Sequence, residues 1–262
     1  MINNITFNLH FTDLCDFSCK HCFVTKQGKE LSLKEICCIV DKIAIYAYET
    51  KTKVRINLAG GEPLISKNIQ SIIDYIYSKE IEVSIITNGN GLTKQFIEHN
   101  KDKLSMIGIS IDSLKHDTNC IMERCEKGKT ISEEEMVEKC LWIKTNGIKL
   151  KINTCITSLN KDENLCEFYK KVNPNRIKIL RVLSDKPKDN LYVITDKEWE
   201  NVQRKYKDLG AVFEDNDYMR ENYIIIDSSA NLTKNNLHFS NNSLLNKDVY
   251  ECLKSLNKVK EG

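Results

Sequence analysis

A chain of 262 residues with 41% hydrophobic and 29% charged side chains has the composition of one ordinary globular domain. Its 39 Lys+Arg against 37 Asp+Glu leave a formal charge of +2, so no bulk field draws it to a nucleic acid polymer or an anionic membrane. It has no apolar run of the ~18 residues a bilayer span needs, and Met1-Ile2-Asn3-Asn4 lacks the basic and apolar parts of a secretory signal, so a cytoplasmic chain is expected.

In chain order, residues 5–11 read as a buried strand, followed by a polar loop that holds Cys15, Cys19 and Cys22. Ser32-Leu33-Lys34-Glu35 is a capping box ahead of the helical stripe Ile36, Ile39, Val40 and Ile43. Residues 54–58 form a second strand, and Ser66 opens a helical segment through Ile69, Ile72, Ile73 and Ile76. Strand three (82–87) precedes a Thr93-capped helix at 94–100, and strand four spans 106–112. Ser132 opens a helix that Gly147 closes. Strand five (149–156) leads to Asn160 and a helix at 163–171 that Pro174 stops, then strand six (176–183). Thr195-Asp196-Lys197-Glu198 is a second capping box, for a helix closing at Gly210. Beyond it come one strand-like run, 223–226, and a short helix near 249–256.

Several strands are near-continuous runs of Ile and Val, which predicts a parallel sheet covered on both faces. Six β-α repeats predict right-handed crossovers and the α/β class, as a partial (β/α)6 barrel. The barrel takes residues 1–210, and residues 211–262 form an extension that covers its mouth. Chemistry in such barrels collects at the carboxyl ends of the strands. The cysteine loop, Ala59-Gly60-Gly61-Glu62-Pro63, Asn88-Gly89, Asp112-Ser113, Asn153, Arg176 and Lys178 are all expected there.

Eleven cysteines in a chain without an export signal argue against a disulfide framework; most read as small buried hydrophobes. Cys15-x3-Cys19-x2-Cys22 is different, because chance supplies only ~0.02 such patterns at this cysteine frequency. Three close thiolates can hold three corners of a four-iron cluster and leave the fourth iron for an external ligand. Zinc, with His21 or His10 as fourth ligand, is the alternative. The adjacent Gly60 and Gly61 would let a backbone edge meet a ligand closely. Arg176 and Lys178 lie two apart, so a strand presents both cations on one side.

The cysteine triplet together with Gly60-Gly61-Glu62-Pro63 resembles the radical S-adenosylmethionine (SAM) enzymes. Several further segments are similar to the viperin-like group of that superfamily: Asn8-Leu9-His10-Phe11-Thr12, Cys22-Phe23-Val24-Thr25, Ile109-Ser110-Ile111-Asp112-Ser113 and Leu150-Lys151-Ile152-Asn153. So are Asn173-Pro174-Asn175-Arg176-Ile177-Lys178 and Glu214-Asp215-Asn216…Met219…Tyr223. The likeness runs from about Ile5 to Leu256.

The resemblance implies a barrel of the radical SAM type. It also implies an enzyme that removes the C4′ hydrogen of a ribonucleoside triphosphate (CTP, UTP or GTP) with a 5′-deoxyadenosyl radical and expels the 3′-hydroxyl as water. The product, a 3′-deoxy-3′,4′-didehydro nucleotide, is an antiviral chain terminator. By the same resemblance, Cys15, Cys19 and Cys22 would hold a [4Fe–4S] cluster. Gly60, Gly61, Glu62, Pro63, Asn88, Ser113 and Arg124 would hold SAM, with Ser113 and Arg124 at its carboxylate. Asn8, Lys151, Asn153, Arg176 and Lys178 would line the nucleotide site, Asn216 would belong to a loop closing over the base, and Tyr223 would be the hydrogen donor.

An electron donor such as flavodoxin or ferredoxin is implied as a partner, and a monomer is expected. Three departures stand out. Val24 replaces the histidine of animal members, and their amphipathic N-terminal extension and aromatic tail are missing. A different radical SAM reaction, on a peptide or toward a deazapurine, is disfavoured because only Cys252 lies beyond Cys166 to hold a further cluster. A non-catalytic zinc or cluster module is the remaining alternative.

Overall fold

The computed structural model describes residues 4–183, 192–216, 218, 223–234 and 242–258. The first half runs β1 (Asn4–Thr12), α1 (Leu33–Thr50), β2 (Lys53–Gly60), α2 (Ile69–Ser78), β3 (Glu82–Thr87), α3 (Lys94–Asn100) and β4 (Leu104–Ser110). Then come α4 (His116–Ile121), α5 (Glu133–Thr145), β5 (Lys149–Ile156), α6 (Cys166–Val172), β6 (Arg176–Arg181) and α7 (Asp196–Tyr206). The rest comprises β7 (Val212–Glu214), β8 (Ile224–Ile226), β9 (Leu232–Lys234) and α8 (Val249–Lys258). Both capping boxes form: Ser32 and Glu35 close the N-terminus of α1, and Thr195 and Glu198 that of α7.

The strands make one sheet in the order β7-β6-β5-β4-β3-β2-β1-β8-β9. All neighbours from β7 through β8 are parallel, and β9 joins β8 antiparallel. Sequential order with right-handed crossovers sends every crossover helix to the same face. Phe7, Leu9, Ile56, Leu58, Ile107, Ile109, Leu150 and Ile152 point to that face and pack with Ile36, Ile39, Ile43, Ile72 and Ile76 of α1 and α2. The opposite face carries Asn8, Asn57, Ser84, Lys151, Asn153 and Lys178, the alternate residues of the same strands. The expectation of helical cover on both faces is therefore corrected. The polar residues interrupt the apolar runs with period two, so one face is left to function.

The sheet curls along its length. Tyr223, at the head of β8, contacts Lys178 of β6 and Glu214 of β7, although these strands stand at opposite ends of the order. Side chains bridge the gap that the backbone ladder leaves open. Residues 211–234 add three strands where the sequence suggested one, because a three-residue strand is too short to show a period. Farther on, Lys42 of α1 donates to the carbonyls of Leu244, Leu245 and Lys247 and fixes the start of the final segment on the helical side.

Three local expectations shift. Asn160 caps nothing: its amide holds Thr157 N and the carbonyls of Asp112 and Cys155, so α6 starts later, at Cys166. Ser66 follows a 3-10 turn at Pro63–Ile65, and α2 starts at Ile69. The six-residue α4 carried no readable stripe. Among the described residues no helix is long and apolar enough to cross a membrane.

Candidate active site

The cysteine loop joins β1 to α1 and is pinned at its base and to three neighbouring strand ends. The Asp13 carboxylate accepts from Gln27 N (3.1 Å), Lys29 N (2.9 Å) and the Ser228 hydroxyl (3.2 Å), folding the loop back on itself. At the end of β2, Gly61 N donates to Thr12 O and Glu62 N to Leu14 O, both at 2.8 Å. Asp16 accepts from the side-chain amides of Asn88 (2.6 Å) and Asn90 (2.8 Å) beyond β3. His21 Nε2 lies 3.0 Å from Asp112 Oδ2 beyond β4. The two glycines serve the packing of the fold itself. A Cβ on Gly60 would overlap Thr12 O, and one on Gly61 would overlap Leu14 O. They admit the cysteine loop itself, and Gly60 also takes φ +121°.

Cys15, Cys19 and Cys22 are all half-buried on this loop. Burial pushes the Cys15 thiol up to about 12 and the Cys19 thiol up to about 11. Thiolates here require a cationic partner, so their deprotonation is coupled to metal binding. Iron meets that requirement, and the donor set fits three corners of an iron–sulfur cluster. The Arg124 guanidinium, 3.9 Å from Cys19 Sγ, adds positive charge. The zinc alternative needs a histidine. His21 Nε2 is engaged by Asp112, while His10 is half-buried with its ring 5.7 Å from that of Phe23. Among the described residues no three His, Cys, Asp or Glu side chains close on a single ion.

Beside the loop opens a small cleft lined by Phe17, Asn88, Ser110, Ser113, Arg124 and Met136 among others. It gathers three of the residues expected to hold SAM. Arg124 pairs with Asp112 Oδ2 at 3.0 Å and donates to Ser110 O at 2.7 Å. Burial alone would raise the Asp112 carboxyl, but Arg124, His21 and the backbone N–H of Cys155 hold it below the usual range. Asp112 thus clamps the cysteine loop and Arg124 together, a role absent from the residues expected at the site. The Ser113 hydroxyl donates to Glu163 Oε2 at 2.6 Å. The Glu62 side chain is used inside the fold, accepting from Leu64 N (3.0 Å), the Thr87 hydroxyl (2.7 Å) and Asn88 N (2.6 Å). Its burial pushes it up to about 7. Pro63, also buried, starts the 3-10 turn, and none of residues 60–63 is among those lining the cleft.

The polar face of the sheet continues away from the loop. Ser84 Oγ donates to Asn57 Oδ1 (2.8 Å), Asn57 Nδ2 to Asn8 Oδ1 (2.9 Å), and Asn8 Nδ2 to Ile224 O (3.1 Å). Ser110, Asn153 and Lys178 share one register row, and Gly108, Lys151 and Arg176 share the next. Arg176 is the first residue of β6. The cations therefore lie nearer the amino ends of the strands than expected, with the cysteine loop at the carboxyl ends. Asn153 Oδ1 is buried without a hydrogen-bond partner among the described residues. An unmet acceptor of this kind costs ~1–3 kcal/mol, which a ligand donor would recover.

Burial, with the charges of Lys178, Arg176 and Arg55, lowers Lys151 to about 7. Arg55 Nε is likewise buried without an acceptor among the described residues. Arg55 and Asn57 escaped the sequence reading, although both alternate with the apolar Val54, Ile56 and Leu58 on β2. Lys178 is buried and contacts Glu214 and Tyr223. Asn216 lies half-buried two residues past Glu214, and Met219 falls outside the described residues.

The sequence matches the model of the radical SAM superfamily over residues 9–172. An S-adenosylmethionine-dependent nucleotide dehydratase of Lacinutrix mariniflava is 32% identical over 95% of this chain, which spans 55% of that protein's length. A protein of the same name from Fibrobacter sp. is 30% identical over 89% of this chain and 78% of its own length. The crystal structure of Streptococcus suis SuiB bound to S-adenosylmethionine is similar in fold, with a TM-score of 0.73 at 13% identity, covering 96% of this chain and 66% of that one. With a cysteine loop, a polar cleft beside it and a cationic face on one curled sheet, the chain belongs to the radical SAM superfamily and, within it, to the viperin-like S-adenosylmethionine-dependent nucleotide dehydratases.

Proposed function

We propose that this chain converts a ribonucleoside triphosphate to its 3′-deoxy-3′,4′-didehydro analogue with loss of one water. The observation that carries the reading is the polar face of the sheet. It sets Arg55, Lys151, Arg176 and Lys178 and the unmet Asn153 acceptor on the same curled sheet as the cysteine loop. A triphosphate brings about four negative charges, which such a group of cations attracts and neutralises.

When bound, a [4Fe–4S] cluster and SAM would supply the 5′-deoxyadenosyl radical that takes the C4′ hydrogen. Cys15, Cys19 and Cys22 would hold the cluster. Asn88, Ser113 and Arg124, which line the cleft, would hold SAM together with the backbone of Gly60–Pro63. Lys151, Arg176 and Arg55 draw the phosphates toward the amino ends of the strands, leaving the ribose nearer the cysteine loop. Asn8 and Asn153 orient the nucleotide, and Asn216 approaches its base. The curled sheet, bridged across its open edge by Lys178, Glu214 and Tyr223, limits water around a reactive carbon radical. Tyr223 serves as hydrogen donor. The reading includes CTP, UTP or GTP as substrate, a flavodoxin or ferredoxin as electron donor, and a cytoplasmic monomer.

The test is anaerobic incubation of the reconstituted protein with SAM, dithionite and each triphosphate. One triphosphate is expected to raise 5′-deoxyadenosine release about tenfold or more and to yield a nucleotide lighter by one water. Failure of CTP, UTP, GTP and ATP alike to stimulate release overturns the reading.

A further inference from the structure

Glu214 has no assigned task. It closes β7 and is 1% exposed, on the face that carries Lys151, Arg176 and Lys178. A carboxylate there repels a triphosphate, so a site built for phosphate binding alone would leave it out. Its partners explain its presence. The Tyr223 phenol donates to Glu214 Oε2, Lys178 Nζ pairs with Glu214 Oε1, and the same Nζ donates to the Tyr223 oxygen. The Lys178 ammonium also lies 4.8 Å from the centre of the Tyr223 ring. Carboxylate, ammonium and phenol each contact the other two, across the gap between the two ends of the sheet.

Removal of the C4′ hydrogen leaves a substrate radical that must gain one electron and one proton to lose its 3′-hydroxyl as water. We infer that Glu214 is a positioning residue that holds Tyr223 and Lys178 as one hydrogen-bonded unit delivering both. The inference rests on the nucleotide-dehydratase reading. Tyr223 gives one electron to the substrate radical, the C3′–O bond breaks, and the departing hydroxide takes a proton from the Lys178 ammonium. The phenol proton passes to Glu214 and from there to the Lys178 amine. The tyrosyl radical then regains one electron from a low-potential one-electron donor, an iron–sulfur or flavin protein in the cell and dithionite in the assay, and one proton from solvent. Glu214 assists tyrosine oxidation by receiving the proton directly from the phenol that donates to it.

The test uses the reconstituted full chain with SAM, dithionite and the accepted triphosphate, and measures product formed per 5′-deoxyadenosine released. E214Q is expected to keep nucleotide KM and 5′-deoxyadenosine release within about threefold of wild type while the ratio falls about tenfold or more. Y223F lowers the ratio similarly, and the E214Q/Y223F double variant falls no further than the worse single one, because the residues act as one unit. A merely structural role would lower release and product together. A wild-type ratio in E214Q, or a double variant whose loss is the product of the single losses, overturns the inference. Should E214Q fail to fold, E214D carries the test: its shorter carboxylate lowers the ratio about threefold, and a wild-type ratio overturns the inference equally. A wild-type protein that releases no 5′-deoxyadenosine with any triphosphate defeats the dehydratase reading instead.

Discussion

The loop that carries the three cysteines and the cationic face of the sheet are built on opposite principles. Around the loop the protein satisfies its own polar groups. Asp13, Asp16, Glu62 and Asp112 each accept two or more hydrogen bonds or ion pairs from within the chain. On the cationic face, Asn153 Oδ1 and Arg55 Nε have no partner among the described residues, and burial with neighbouring cations depresses Lys151. The first region holds its shape before any ligand arrives, as a site for a cluster and a reactive cofactor must. The second keeps unmet charge that only an anion with donor groups relieves. The comparison teaches where substitutions act: near the loop they change structure and cofactor retention, and on the face they change substrate affinity.

The largest effect is expected from replacing Cys15, Cys19 or Cys22 with alanine. Each variant should lose its iron after anaerobic reconstitution and about 1,000-fold or more of 5′-deoxyadenosine release, while thermal unfolding monitored by circular dichroism stays close to that of the cluster-free wild type. An alanine variant with full iron content would break the comparison at its first term. Next is Asp112→Ala, which strands the buried Arg124 and frees His21. Removing one partner of a buried ion pair costs ~3–5 kcal/mol, so urea unfolding should shift by that amount and SAM binding should weaken. Unchanged SAM affinity would show that the clamp does not serve the cleft.

The face predicts a different signature. Lys151→Met should raise the nucleotide dissociation constant about 10–100-fold and leave SAM affinity unchanged, by calorimetric titration. Lys151 lies at about 7 in the free protein, well below an ordinary lysine. A bound triphosphate favours its charged form and raises that value. Nucleotide binding therefore takes up a proton above pH 7: affinity is highest below 7 and falls as pH rises toward the value in the complex. The opposite sign governs stability in the free protein. Between about 7 and the ordinary lysine value the unfolded chain binds the extra proton, so this group's contribution to stability grows as pH rises through that window. Lys151→Met should flatten both dependences, and an unchanged pH profile of nucleotide affinity would remove Lys151 from the site.

What the sequence disclosed follows from how locally each feature is encoded. The cysteine triplet spans eight residues, and the capping boxes at Ser32 and Thr195 span four each, so both can be read without a fold. Strands β1 to β6 show in their Ile and Val runs. Arg55 and Asn57 look like interruptions of such a run until strand pairing sets Asn57 beside Asn8 and Ser84. Asp112 meets His21 across 91 residues, and Glu214 meets Tyr223 only because the sheet curls. The glycine pair was legible as a close approach, but the partner was the cysteine loop, which lies nearly 50 residues earlier in the sequence. Period-two polarity marks a face, yet only topology says what the face encloses.

The smallest expected effect sharpens the comparison because it belongs to neither region. Ser32 caps α1: its hydroxyl accepts from Glu35 N at 3.3 Å, and Glu35 answers to Ser32 N at 2.8 Å. The pair is exposed, and α1 packs on the helical face of the sheet. Ser32→Ala removes one satisfied terminal N–H and should cost ~1 kcal/mol in urea unfolding. Iron content, SAM affinity and product per 5′-deoxyadenosine should all stay at wild-type values, since the cap's bonds join only Ser32 and Glu35 and reach neither a cysteine nor a cation of the face. If this uniform loss of stability also lowered cofactor retention, the loop would be only as rigid as the whole domain, and its internal hydrogen bonds would not set it apart from the cationic face.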